Sequence, residues 1–140
     1  MIEPFTPVAK MQPWGTELLV AYAPGLYTGK MLYRRAEGHR AGLQYHVHKD
    51  ETFYLHSGTC VVYFVDMEGV LRQTTMRPGQ SFHIPPGTIH SVRTIGDSVM
   101  FEASTPHFDD RVRVESDYDV SRAIEVDLGA PNHYEVVVRS

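Results

Sequence analysis

From one end to the other, the chain alternates short runs of apolar and β-branched residues with turn residues. Leu18–Tyr22, Lys30–Arg35, Leu43–Val47, Thr52–His56, Cys60–Val65 and Leu71–Thr75 read as strands. So do Ser81–Ile84, Ser91–Thr94, Ser98–Ala103, Val112–Val114 and Tyr134–Val138. Between them stand turn signals such as Pro24-Gly25, Ser57-Gly58, Arg77-Pro78-Gly79, Pro85-Pro86-Gly87 and Gly96-Asp97. A helical apolar repeat is missing throughout, and only Ser121–Ile124 predicts a helical turn. Many short strands at even spacing predict an all-β sandwich or closed barrel. Cys60–Val65 is apolar on both faces, so one face is expected in the barrel and the other against a second sheet or subunit.

Size and charge narrow the picture. A chain of 140 residues without repeats, low-complexity stretches or linkers predicts one domain over 1–140, with a core about 14–118 and extension strands at both ends. The formal net charge of −4, with no cluster of Lys or Arg, argues against a nucleic-acid partner. No apolar run, Val61–Val65 included, is long enough to span a bilayer. Met1-Ile2-Glu3-Pro4 offers neither a basic nor an apolar leader region. Cys60 is the single cysteine, which excludes an intrachain disulfide and suits a reducing cytosol, so the expected location is cytoplasmic.

Eight histidines are the unusual feature of the composition, and their placement points to a metal. In the stretch Gly42–Glu51, strand alternation puts Gln44, His46 and His48 on one face, and Glu51 follows with a carboxylate. A second stretch, Gly79–His90, runs a strand into a rigid Pro-Pro-Gly turn that delivers His90. His46, His48, Glu51 and His90 together give three imidazoles and one carboxylate with no thiolate. That donor set suits one divalent ion (Zn, Mn, Fe, Co or Ni) with positions left for substrate. His39, His56 and His133 read as ordinary surface or packing residues, while His83 and His107 could face the pocket without ligand spacing.

These two stretches resemble the paired motifs of the cupin superfamily, an H-x-H followed by Glu and Gly, and a P-x-G-x-x-H. Gly79, Pro85, Gly87 and His90 match the second, and Glu51 with Gly58 matches the end of the first. Arg40 stands at the opening glycine, and Thr94 at the closing Asn. A narrower resemblance, to the type II phosphomannose isomerase domain, runs from about Trp14 to Tyr118. Pro13-Trp14-Gly15-Thr16-Glu17 resembles its P-W-G-x-E, Lys30-Met31-Leu32 its K-x-L, and Gln44–Glu51 its Q-x-H-x-H-R-x-E, with Lys49 for Arg. Asp109–Tyr118 resembles its D-D-I-V-R-L-E-D-x-Y.

What the resemblance implies is a cupin jelly-roll β-barrel and a metal-dependent isomerase or epimerase of a sugar or sugar phosphate, working through an enediolate. Under it, Glu102 and Lys30 are the first candidate bases, followed by His83 and His107. Gln44 is a candidate ligand or substrate partner, and Arg35, Arg93, Arg111 and Arg113 are candidates to receive a phosphate. Two other classes stay open: an Fe-dependent cupin dioxygenase, and a non-catalytic sugar-binding cupin. The implied partner is a small carbohydrate; separately, the apolar second face of Cys60–Val65, with long N- and C-terminal extensions, predicts a homodimer formed by strand exchange.

Overall fold

Alternation decides the architecture. Along the strand Glu51–Ser57, the side chains of Glu51, Phe53 and Leu55 are buried while Tyr54 and His56 are exposed, as a pleat with one face on a core requires. The computed structural model describes residues 1–36 and 40–128. The expected strand Tyr134–Val138, with His39 and His133, lies outside the described residues.

In chain order the strands are β1 (Val8–Gln12), β2 (Gly15–Ala23), β3 (Tyr27–Arg34), β4 (Gln44–His46), β5 (Glu51–Ser57) and β6 (Cys60–Val65). They continue with β7 (Leu71–Met76), β8 (Ser81–Ile84), β9 (His90–Thr94), β10 (Ser98–Ser104), β11 (Arg111–Arg113) and β12 (Ile124–Glu125). One six-stranded sheet has the order β1-β2-β3-β10-β5-β8, the other β11-β4-β9-β6-β7-β12. Every pairing is antiparallel except that of β12 with β7. The chain repeatedly crosses from one sheet to the other, which is the jelly-roll arrangement.

Trp14, Leu32, Phe53, Leu55, Val62, Met76, Val92 and Met100 form the core between the sheets. A second cluster lies on the opposite face of β6, where Tyr63 and Val61 pack with Leu43, Val114, Tyr118, Val120 and Ala123. The outward apolar face of Cys60–Val65 is therefore covered by the chain's own 114–123 segment. Arg40 and Glu115 form an ion pair that ties this segment down, and Glu115 also accepts the Leu43 backbone N–H. Among the described residues, no helix is long and apolar enough to cross a membrane.

Five elements depart from the sequence reading. β1 was not expected because none of its side chains is buried; pairing with β2 alone makes it a strand. The helical turn expected at Ser121–Ile124 is a 3-10 turn at Val120–Arg122, with Ile124 already in β12, and a further 3-10 turn covers Glu115–Asp117. β4 stops at His46, two residues before the site reading needs it to, and that has consequences for the ligands.

Candidate metal centre

β4 ends at His46 and the backbone bends at Val47 and His48, so the two-residue alternation stops there. His46 keeps the inward direction. His48 is exposed, its ring 5.7 Å from that of His107, and its backbone N–H donates to Asp110 Oδ2 at 2.6 Å. The structure thus leaves His48 outside the group it was expected to join. Glu51 opens β5, only 2% exposed, and His90 opens β9, 3% exposed. The Pro-Pro-Gly turn aims His90, with Gly87 at φ +81°, a conformation other residues seldom adopt. The Gly87 N–H donates to the His46 carbonyl at 2.8 Å, so the two motifs are bonded to each other through their backbones.

His46, Glu51 and His90 bring one donor atom each within 4.8 Å of one another. Chemistry of the neighbours fixes the tautomers. The Thr88 carbonyl can only accept, so His90 Nδ1–H donates to it at 2.9 Å. The Asp110 carboxylate accepts from His46 Nδ1–H at 3.2 Å. Both Nε2 lone pairs then face Glu51 Oε1, at 3.0 Å from His90 and 3.7 Å from His46, and that buried oxygen has no hydrogen-bond partner. Three buried acceptors converging with no donor between them is an arrangement that a cation satisfies. Histidine ligands held through Nδ1–H by a carbonyl or carboxylate are also the usual outer shell of a metal site. Burial lowers the basicity of His46, which keeps the ring in its neutral, ligating form. The residues present fit a divalent ion.

Lys49 enters where His48 leaves. Its ammonium lies 3.0 Å from Glu51 Oε2 and 3.2 Å from Glu102 Oε2, with Lys49 side-chain exposure of 11%. Burial opposes ionisation of Glu51, and the Lys49 ammonium beside it works the other way, holding the carboxyl in its ionised form. Glu102, buried on β10, is pushed upward, chiefly by burial and also by the Glu51 charge, with Lys49 working the other way. Lys49 itself is raised: burial works against its charge, and the two carboxylates override it.

A cavity of about 220 Å³ opens onto this cluster. Of the expected functional residues, Glu102, Lys30, His107 and Gln44 line it, as does Arg111. Lys30 is paired with Glu17 at 3.3 Å, and Arg111 donates to Gln44 Oε1 at 3.5 Å. The others lie elsewhere. His83 is exposed and paired with Asp50 at 2.6 Å, Arg35 donates to the Pro13 carbonyl, and Arg93 faces outward and donates to the Tyr63 hydroxyl. Arg113 is exposed on β11. Alternation explains the arginines: on β3 the inward residues are Lys30, Leu32 and Arg34, and Arg35 lies past the strand's end. Sequence reasoning missed Lys49, Asp110 and Arg34. Lys49 and Asp110 stand inside the quoted family segments, and Arg34 could have been found by counting inward from Lys30.

The family model for the cupin domain matches residues 31–100, a span that holds His46, Lys49, Glu51 and His90. No curated protein matches the chain. Among solved structures, the capsular polysaccharide assembling protein CapF from Staphylococcus aureus aligns with a TM-score of 0.66 and 19% identity, over 80% of this chain and 33% of that one. A variant of Bacillus subtilis oxalate decarboxylase aligns at 0.65 and 16% identity, over 77% of this chain and 30% of that one. KdgF from Halomonas sp. aligns at 0.56 and 23% identity, over 68% of this chain and 81% of that one. The chain spans about a third of the length of the first two. At such identities the likeness is one of fold.

Proposed function

The chain belongs to the cupin family, and from that premise we propose that it is a metal-dependent enzyme moving a proton between adjacent carbons of a small hydroxy-carbonyl substrate. A sugar or sugar-phosphate isomerase or epimerase is the class this describes. The observation that carries the reading is the placement of Glu102 beside the His46, Glu51 and His90 cluster, in one cavity and bridged to Glu51 by Lys49. A divalent ion held by those three residues would supply Lewis-acid polarisation of a carbonyl and its neighbouring hydroxyl.

Chain residues do the remainder. Glu102 removes the proton from the carbon next to the carbonyl and returns it, from the same face, to the former carbonyl carbon, while the neighbouring hydroxyl proton passes to the former carbonyl oxygen. Burial raises its proton affinity toward the range in which a carboxyl can both take and give a proton. Lys49 holds Oε2 of Glu102 at 3.2 Å, which orients the carboxyl and stabilises its anionic form. Gln44 and His107 offer hydrogen bonds to substrate hydroxyls from the same wall. The resemblance to type II phosphomannose isomerase domains, and the polysaccharide-assembly role in the name of CapF, both support a carbohydrate-type substrate.

The test is solvent-deuterium exchange into a panel of aldoses, ketoses and their phosphates, with the metal-loaded protein, read by NMR. Exchange at the carbon next to the carbonyl is expected, and Glu102→Gln should abolish it while metal content stays unchanged. No exchange across the panel, or full exchange by Glu102→Gln, would remove the isomerase reading. A second reading draws on His48 lying outside the cluster: two imidazoles and one carboxylate are also the donor set of non-haem Fe(II) oxygenases. Oxygen uptake by the Fe(II)-loaded protein, without deuterium exchange, would select it.

A further inference from the structure

Among the described residues, Arg34 is a buried charge without a hydrogen-bonding partner. It sits at the end of β3, only 7% exposed, in the wall of the same cavity that opens onto the metal cluster. Its guanidinium lies over the Trp14 ring, 4.4 Å from the centroid. That contact satisfies the face of the group but none of its N–H donors. Nε and Nη1 are buried without a hydrogen-bond partner. A buried, unpaired guanidinium is costly, and an apolar side chain beside Trp14 and Leu32 would fold at lower cost. Among the described residues nothing completes it.

Charge says what would complete it. Lys30 is paired with Glu17, while Lys49 lies between Glu51 and Glu102. Arg34, Lys10 and Arg111 add three more positive charges to the lining, so five cations face three carboxylates. The cavity is thus positive by two even without a metal, in a chain whose formal net charge is −4. Of the arginines weighed from the sequence alone, Arg111 lines it and Arg35, Arg93 and Arg113 do not.

We infer that Arg34 is the anion-binding residue of this cavity, and that the substrate is a small organic molecule bearing a carboxylate or phosphate. This rests on the reading of the cavity as the substrate site. The planar fork of a guanidinium matches two oxygens of either group, which orients the ligand as well as holding it. A volume of about 220 Å³ is below the roughly 300–1,000 Å³ of drug-sized sites, which limits the ligand to a few carbons plus the anionic group.

The experiment is calorimetric titration of the chelator-treated full-length chain with glycerol, D-glycerate and glycerol 3-phosphate, three probes that differ in their anionic group. Chelation removes the metal as a competing partner for the oxygens. At least one of the two anions should bind tenfold or more tighter than glycerol, and the stronger of the two identifies carboxylate or phosphate as the preferred group. Arg34→Met, which keeps the packing on Trp14, should erase that preference and leave metal uptake by elemental analysis unchanged. Arg34→Lys, which keeps the charge but loses the fork, should retain a weaker preference. Glycerol binding as tightly as both anions in the wild-type chain overturns the inference even if Arg34→Met does not fold. So does unaltered anion binding by a folded Arg34→Met. Metal uptake is read separately: anion preference without metal uptake would keep Arg34 and discard the metal reading, and the reverse would do the opposite.

Discussion

Replacing Lys49 by Met tests how the buried charges of the centre are balanced. The ammonium lies 3.0 Å from Glu51 and 3.2 Å from Glu102, and the side-chain exposures of the two pairs are 11%/1% and 11%/8%. At an effective dielectric constant of about 20, each contact is worth roughly 5 kcal/mol before desolvation. Part of that returns on substitution, because the ammonium no longer has to be buried and Glu102, already inclined toward its protonated form, can take up a proton. Removing one partner of a buried pair costs about 3–5 kcal/mol net, and Glu102's proton uptake places Lys49→Met near the lower figure, about 3 kcal/mol. A divalent ion at His46, Glu51 and His90 would neutralise Glu51 from its other side, so loading should recover at least half of the deficit. The assay is urea unfolding of wild type and variant, each after chelation and after loading with Zn or Mn. A chelated deficit below about 1 kcal/mol would show that Lys49 does not balance these carboxylates. A deficit of the same size with and without metal would show that the ion does not bind beside Glu51.

Other outcomes follow from neighbouring residues. His90→Ala should lose the metal and His48→Ala should retain it, as measured by elemental analysis of the purified variants; equal loss in both would put His48 back among the ligands. Asp110→Ala removes the acceptor of His46 Nδ1–H and of two backbone N–H groups, and should weaken metal affinity roughly 10–100-fold in a competition titration, with no change counting against the orienting role. The hydrogen bond from Arg40, helped by the Leu43 N–H and opposed by burial, holds the Glu115 carboxyl below its ordinary 4.5. Its stabilisation is present above pH 4.5 and lost as pH falls through the folded value, so the wild-type denaturation midpoint should fall more steeply below pH 4.5 than that of Glu115→Gln. Parallel slopes would refute this. Gly58→Ala puts a Cβ 2.1 Å from Ser98 Oγ at φ +91°, and thermal unfolding should show a loss of about 2–3 kcal/mol; a variant as stable as wild type would mean that the turn relaxes freely.

Most of the fold was legible because it rests on alternation and turn chemistry, both local properties. Cys60–Val65 and Ser81–Ile84 are strands with the bounds that the apolar runs suggest. β1 and β12 were not legible, because each is made a strand by its partner and not by a buried face of its own. Glu51 and His90 could be read from motif spacing, since a strand start and a Pro-Pro-Gly turn locate a side chain with few alternatives. His48 could not. Alternation placed it beside His46 only on the assumption that β4 continues, and the strand stops because Asp110, from beyond β10, takes the N–H groups of His48 and Lys49. That exchange of partners between residues 61 and 62 apart in the chain has no local signal. The outward face of β6 misled for the same reason, since its cover comes from Val114 to Ala123.

The charge inversion between cavity and chain has a kinetic side. Lys10 and Arg111 are exposed at the cavity, while the whole molecule is negative. An anion approaching most of the surface is repelled, and one approaching the opening is drawn in, so capture is directional before any contact is made. Such guidance reaches about 8 Å at physiological ionic strength and farther in dilute buffer. The association rate for an anionic substrate should therefore fall steeply with added salt while the rate for a neutral analogue stays flat, and the dissociation rate, set by the buried Arg34, should respond much less.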